Sequence, residues 1–285
     1  MEDIIIFNLS LYNVLLYFII YAFIGWCIEV AYAAIMTGKF VNRGFLNGPV
    51  CPIYGFGVVI LIEATTTIKN NLALTFIVSI IVTSCIEFAT GFILEKLFNH
   101  RWWDYSHRVF NLKGYICLRF SLIWGIASVF VVKVIHTLVS NVTKLIPELL
   151  GNIILGSIII LLIIDIISAV ETVLEFNVRL KKIDEISAKI KDSSDVLAKE
   201  ISKNTIEFKR KYDENSIEFK RKHEDELTSI KRKYENEIYE LKQNYNNLVA
   251  RKNILHRRLI KAFPNIRSNK YFEALEQLKK NAIGR

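Results

Sequence analysis

Five apolar stretches, separated by short polar or glycine-rich connections, fill the N-terminal part of the chain. Beyond them the pattern changes to dense charge with widely spaced apolar positions. The stretches fall at about 12–36, 53–68, 72–97, 115–139 and 147–174. A helix needs roughly 20 apolar residues to cross a hydrocarbon core of ~30 Å, and all but the second stretch reach or nearly reach that length. Pro52 stands just ahead of the second stretch, as suits the first turn of a helix, where a missing N–H costs nothing. That span is either little tilted or continued at membrane depth by part of 69–72. The pattern predicts an all-α, polytopic helical membrane bundle over 1–176.

The charged segment beyond 176 contains an 11-residue repeat from 204. NTIEFKRKYDE (204–214) is followed directly by NSIEFKRKHED (215–225), and SIKRKYENE (229–237) continues the series. Phe208, Phe219, Ile230 and Leu241 align, as do Tyr212, His223, Tyr234 and Tyr245. Three turns per 11 residues keep such a stripe almost straight, with a slight right-handed supercoil. No Gly or Pro lies between Gly156 and Pro264, so an unbroken helix over 177–260 would reach ~125 Å. Asp192-Ser-Ser-Asp195 is the candidate break, because these residues favour caps over helix interiors. The stripe allows a coiled coil between copies, or a lone helix held by Glu–Lys pairs at i,i+4. Three segments result: a transmembrane helical domain over 1–176, a long charged helix over 177–263, and a short amphipathic helix over 264–285, capped near Ser268.

Charge separates the two parts and orients the first. Residues 1–176 carry 10 Lys/Arg and 11 Asp/Glu, whereas 177–285 carry 27 and 17. Lys39 and Arg43 follow the first span, Lys96, Arg101, Arg108 and Lys113 the third, and Arg179, Lys181 and Lys182 the fifth. The alternate ends have only Lys69 and Lys144. Basic residues stay on the cytoplasmic side, so the expected topology is N-terminus out with the arm in the cytoplasm, in the inner or plasma membrane. Glu2 and Asp3 open the chain and the first apolar run is long, which argues against a cleavable signal. The four cysteines, Cys27, Cys51, Cys85 and Cys117, form no CxxC pair, so reduced thiols and no metal site are expected.

Candidate chemistry gathers in two polar stretches. In KFVNRGFLNGPVCPIYGFG (39–57), four of the 12 glycines and two of the four prolines fall between Gly44 and Gly57. Such a loop can pack into the bundle and present backbone amides beside Asn42, Arg43, Gly44, Asn47 and Gly48, which suits an anion such as a phosphate or carboxylate. The alternative is a rigid re-entrant turn whose polar groups satisfy one another. In NHRWWDYSHRVFNLKGYICL (99–118), Trp103, Asp104 and Asn111 are the candidates. The tryptophans also fit an interfacial belt, and Asp104 a local ion pair with Arg101.

Glu29, Glu87, Arg119 and Asp165 fall inside the spans, and Glu95 shares a helix face with Glu87 and Gly91. Each charge at the centre of a span costs ~2.5–3.5 kcal/mol on insertion scales. Either Arg119 pairs with Glu29 or Glu87, or the group lines a polar cavity open to the cytoplasm. No GxxxxGK[ST], GxSxG or HExxH occurs, nor a GxGxxG after a strand, so no cofactor and no catalytic motif is indicated. The arm's basic residues interleave with Glu, which points to solvent or anionic lipid rather than nucleic acid.

NRGFLNGPVCPIYGFG, RWWDYS, FNLKGYICL and SLIWG, together with GWCIEVAY and FPNIRSNKYFEAL, resemble the bacterial ABC-transporter type IV, or CmpB-like, membrane proteins. The resemblance implies a transport permease working with a separate ATP-binding subunit and, with so few spans, a homo-oligomer. It also implies that Asn42, Arg43, Gly44, Asn47, Gly48, Pro49, Trp103, Asp104, Asn111 and Gly114 act as one unit. Two other functions stay open. One is a membrane-embedded enzyme or carrier for an anionic lipid or polyprenyl phosphate, and the other is a scaffold that gathers partners through its coiled-coil arm.

Overall fold

The computed structural model describes residues 5–6, 9–211 and 217–283. Glu2, Asp3 and Tyr212 lie outside the described residues. The chain divides into two compact units. One is Met1–Glu175 with Ile254–Lys270, and the other is Phe176–Asn253 with Tyr271–Arg285.

In the first unit a two-residue ladder, β1 (Ile5–Ile6) with β2 (Leu9–Ser10), leads into α1 (Leu11–Thr37). Ser10 caps that helix, its hydroxyl accepting from the Asn13 N–H at 3.3 Å. The helix stops at Gly38, whose left-handed φ of 67° lets its N–H turn back to the Ala34 carbonyl. α2 (Pro52–Thr65) has Pro52 in its first turn, and α3 (Leu72–Phe98) is capped by the Asn71 side chain. α4 (Leu118–Phe130) passes through a π-helical turn at Val131–Ile135 into α5 (His136–Thr143), and α6 (Glu148–Lys211) follows. Among the described residues, four helical stretches are long and apolar enough to cross a membrane: α1, α3, Leu118–Thr143 and the apolar part of α6. α2 has 14 residues, ~21 Å, which falls short of a full hydrocarbon core. This is an all-α membrane bundle, and its helices begin and end close to the apolar runs.

The helices pack closely where side chains are small. A Cβ on Gly55 would sit 2.6 Å from the Phe18 carbonyl oxygen, and one on Gly25 would collide with the Tyr54 ring. α1 and α2 therefore approach closely at both points, backbone to backbone at Gly55 and backbone to ring at Gly25, as small residues permit between apolar helices. Leu155 of α6 closes on Tyr12, Leu16 and Ile19 of α1, while Tyr17, Tyr21 and Ile62 pack against Val131, Ile135 and Val139.

Two short ladders complete this unit. β3 (His100–Arg101) pairs antiparallel with β6 (Arg267–Ser268), and β4 (Asn111–Leu112) with β5 (Ile116–Cys117). α8 (Ile254–Ala262) precedes β6. Ser268 is thus a strand residue opposite His100 rather than a helix cap. The last helix, α9, spans Phe272–Ile283. Because α9 begins only at Phe272, Ser268 lies too far ahead of its first turn to cap it.

The second unit corrects the picture of one unbroken rod. α7 (Ile217–Ala250) runs back along α6. Ser193 reaches Glu237 at 3.3 Å, the Phe208 ring stacks on His223 with centroids 4.6 Å apart, and Arg179 meets Leu248. Rising numbers on one helix oppose falling numbers on the other, so the pair is an antiparallel hairpin. It buries Ile238 and leaves an open, mainly apolar cleft of about 440 Å³ beside Leu197, Ile201 and Tyr239. Arg179 donates to the carbonyls of Leu248, Val249 and Arg251, a cation on the orphan acceptors at the α7 C-terminus. No break occurs at Asp192–Asp195, because Ser194 bonds back to the Ile190 carbonyl and Ser193 finds Glu237. Asn281 of α9 donates to the Val249 carbonyl.

Candidate functional site

The glycine-rich loop between α1 and α2 is organised from within by Asn42. Its Oδ1 accepts from Trp26 Nε1 at 2.8 Å and from the Gly44 N–H at 3.1 Å, and its Nδ2 donates to the Asn47 carbonyl at 2.8 Å. The next two amides leave the loop. Those of Asn47 and Gly48 donate to the two carboxylate oxygens of Asp165 on α6, at 2.9 and 2.7 Å. A Cβ on Gly48 would lie 3.0 Å from the Asp165 Oδ2, so a side chain there would crowd the carboxylate. The loop's carbonyls face a cation. Arg258 of α8 donates through Nη1 to Gly44 and Leu46, at 3.0 and 2.9 Å, and through Nη2 to Phe45 at 3.0 Å. Burial pulls the Arg258 pKa below its ordinary value, with Asp165 pulling the other way. The loop is an amide nest, and the anion at its Asn47 and Gly48 amides is the protein's own Asp165.

Arg43 turns to Glu29, with 3.4 Å between its Nε and Oε2, and its guanidinium lies over the Tyr32 ring at 5.2 Å. The Tyr54 hydroxyl donates to the other Glu29 oxygen at 2.7 Å. Beside them the Cys51 thiol is pushed up to about 12, chiefly by burial and then by Glu29, with Arg43 opposing. Its N–H is tied to the Ala22 carbonyl at 2.9 Å. Arg119 does not provide the expected partner for Glu29 or Glu87. It lies on the outside of the protein and forms no ion pair among the described residues. Arg43 arrives from the loop and takes that place at Glu29.

Glu87 accepts from the Tyr105 hydroxyl at 3.2 Å, while its Oε2 is buried with no hydrogen-bond partner. The Tyr105 phenol is pushed up by burial first and by the Glu87 charge second. Glu95, two turns further along α3, is fully provided for. Arg101 Nε at 2.7 Å and the Tyr115 hydroxyl at 2.9 Å reach one oxygen, and Asn269 Nδ2 at 2.7 Å reaches the other.

The second polar stretch is equally internal. Asp104 accepts from the Ser106 N–H and from Arg267 Nη1, both at 2.9 Å, with Arg101 at 3.9 Å. Burial by itself would raise its pKa, but the Ser106 bonds and the two guanidinium groups outweigh that and hold it below the usual value. Trp103 Nε1 donates to the Tyr115 carbonyl at 2.9 Å. Asn111 donates to the Ser106 and Arg108 carbonyls and accepts from the Gly114 N–H. Trp103, Asp104, Asn111 and Gly114 therefore share one neighbourhood, and Asn42, Gly44, Asn47 and Gly48 another. Aromatic rings join the two: Phe45 stands edge-on to Trp102 at 5.2 Å, and Trp102 to Phe263 at 4.8 Å.

Sequence reasoning missed the donors that arrive from the C-terminal segment: Arg258 of α8, and Arg267 and Asn269 inside the FPNIRSN motif, which the sequence alone assigns to the charged helix and the terminal helix. It also missed His136, whose Nδ1 lies 3.1 Å from the Tyr21 hydroxyl just after the π-helical turn. A histidine inside an apolar run was the available signal. Among the described residues, no group of three His, Cys, Asp or Glu side chains is placed to hold a metal ion.

No curated protein and no solved structure matches the chain. A family model described as "Putative ABC-transporter type IV" matches residues 16–170, more than half of the sequence. The match takes in most of α1, α2 to α5, both polar loops and Asp165, and stops short of the Arg258 and Arg267 segment. The long apolar helices and this match together identify a membrane protein: the chain belongs to the putative ABC-transporter type IV family.

Proposed function

We propose that this chain is the permease-type membrane subunit of a transporter, acting with a separate ATP-binding subunit. In this reading α2 and the turns that continue it to Asn71 together make the fifth crossing, which puts the N-terminus outside and the helical arm in the cytoplasm. The observation that carries the reading is Glu87. An ionisable group inside a span costs ~2.5–3.5 kcal/mol, and such groups mark solute paths and proton relays unless a full set of donors offsets them. Glu95 and Asp104 each have three donors or cations, and Asp165 has two amides, whereas Glu87 has one phenol and a bare buried oxygen. Tyr54, bonded to Glu29, stands edge-on to Trp124 at 5.8 Å, and Tyr105, bonded to Glu87, stacks on Phe120 at 4.9 Å, so the two acids border one polar region beside α4. That region takes up a proton or a hydrogen-bonding solute group in the course of transport.

The lipid-phosphate reading has less support. The amides of Asn47 and Gly48 are engaged by Asp165, and Arg43 by Glu29. The test is native mass spectrometry of the full chain, isolated at normal expression level in mild detergent, followed by ATP hydrolysis in membrane vesicles from the same cells. A stoichiometric ATP-binding subunit is expected, with hydrolysis falling tenfold or more in Glu87→Gln while the assembly stays intact. Intact isolates without such a subunit would overturn the permease role. Unchanged hydrolysis in Glu87→Gln would remove that residue from the path.

A further inference from the structure

The connection between α3 and α4 carries one surface that the site does not use. Val109 and Phe110 are each 78% exposed and Leu112 is 54% exposed, although all three lie outside the helices that carry the apolar runs. Exposed apolar residues on a mobile loop would mean little. These are held rigid. Leu112 pairs with Ile116, so Lys113, Gly114 and Tyr115 connect the two strands, and the Tyr115 N–H donates to the Leu112 carbonyl at 3.1 Å. Lys113 and Gly114 both have positive φ, 52° and 76°, as tight turns between antiparallel strands favour. The Asn111 side chain ties the turn to Ser106 and Arg108, and the Tyr105 N–H bonds the Gly114 carbonyl at 2.8 Å.

Phe110 itself is held at φ 53°, a conformation that a bulky L-residue adopts only against steric resistance. The usual compensation is a well-packed side chain, and here the ring is mostly uncovered. Strain of this kind gathers where a segment is shaped for a contact. Two further facts say what the contact is. The Leu118 N–H donates to the Phe110 carbonyl at 3.1 Å, which fixes Phe110 beside the first residue of a helix long and apolar enough to span a membrane. Arg108 and Lys113 flank the apolar tip and make no salt bridge among the described residues, while the nearby Asp104 is engaged by Arg267. The charge left facing outward is positive.

The geometry points to the 106–114 loop as an anchor for anionic lipid, with Val109 and Phe110 entering the boundary between headgroups and acyl chains and Arg108 and Lys113 holding lipid phosphates. Apolar residues at that depth, flanked by cations, bind by burial of apolar area and by attraction to the charged surface together. The ligand is a phospholipid of net negative charge, recognised by its headgroup and its depth.

The test uses the full chain in lipid nanodiscs of phosphatidylcholine with increasing phosphatidylglycerol, read by hydrogen exchange of the 106–114 amides. Protection should rise with the anionic fraction. Each such cation contributes about fivefold in surface affinity, so Arg108→Ala with Lys113→Ala should need an anionic fraction many-fold higher for half-protection. Phe110→Gly removes the ring and relieves the backbone, so it should fold at least as well as the parent chain yet lose the lipid-dependent protection. Equal protection in neutral and anionic nanodiscs would overturn the proposal. So would full lipid-dependent protection in Phe110→Gly. Protection that appears only at protein concentrations where two copies associate, or only on addition of an ATP-binding subunit, would replace the lipid with a protein partner.

Discussion

Replacing Arg258 tests whether the glycine loop is held from behind. Its guanidinium makes three hydrogen bonds of 2.9–3.0 Å to three successive carbonyls, Gly44, Phe45 and Leu46. Hydrogen bonds with a charged partner are worth about 1.5–3 kcal/mol each, but bonds that share one donor group are not additive. Removing one partner of a buried charged contact costs about 3–5 kcal/mol, and the part-buried setting places Arg258→Ala near the lower end. Arg258→Lys keeps the charge and loses the planar fork, so it should retain one contact of the three and cost roughly 2 kcal/mol. The readout is hydrogen exchange of the Asn47 and Gly48 amides, which donate to Asp165 one step along the same loop. A local loss of about 3 kcal/mol speeds exchange roughly a hundredfold. Arg258→Ala should therefore show about that factor at these amides and Arg258→Lys a smaller one, with α3 and α4 unchanged. If both variants exchange within threefold of the parent, Asn42 and Asp165 alone hold the loop and the clamp argument fails. If exchange accelerates through the whole chain, the contact is global rather than local.

Two further outcomes follow from the geometry. Spin labels at Ser193 and Glu237, in a background without the four cysteines, should report a separation below about 25 Å, because the native side chains touch at 3.3 Å. An unbroken helix across those 44 residues would place them ~66 Å apart, so a distance near that value would refute the hairpin. Asp104 has a folded-state pKa depressed below 3.8, so its contribution is complete well above that pH and is lost as the pH falls through the depressed value. Asp104→Asn should cost roughly 1–2 kcal/mol in denaturant unfolding at neutral pH, and the gap should close below pH 3.8. A gap that widens on acidification would contradict the Arg267 contact.

The amino-acid sequence alone determined the four long apolar helices, because an apolar run must satisfy its own backbone in lipid and its length is set by the bilayer. It also marked the start of α2 through Pro52, because a proline acts within the first turn that contains it. It marked the two polar loops and the acids inside the spans as unusual. What it left undecided was who meets whom. The 11-residue stripe has the same period whether it faces another chain or its own continuation, and only the closing of α7 on α6 chose the second. Asp165 and Arg258 lie far from Gly48 and Gly44 in the chain, and nothing local to them says that one receives the loop's amides and the other its carbonyls. The sequence offered Arg119 for Glu29 or Glu87 and Arg101 for Asp104, yet Arg43 stands at Glu29 and Arg267 at Asp104. Which cation reaches Glu29 or Asp104 depends on where the backbone brings it, to within an ångström, because charge-assisted bonds need contact rather than proximity in sequence. Local rules act over a turn of helix, and the side-chain partners of this site are separated by whole elements. Tertiary packing therefore decided them.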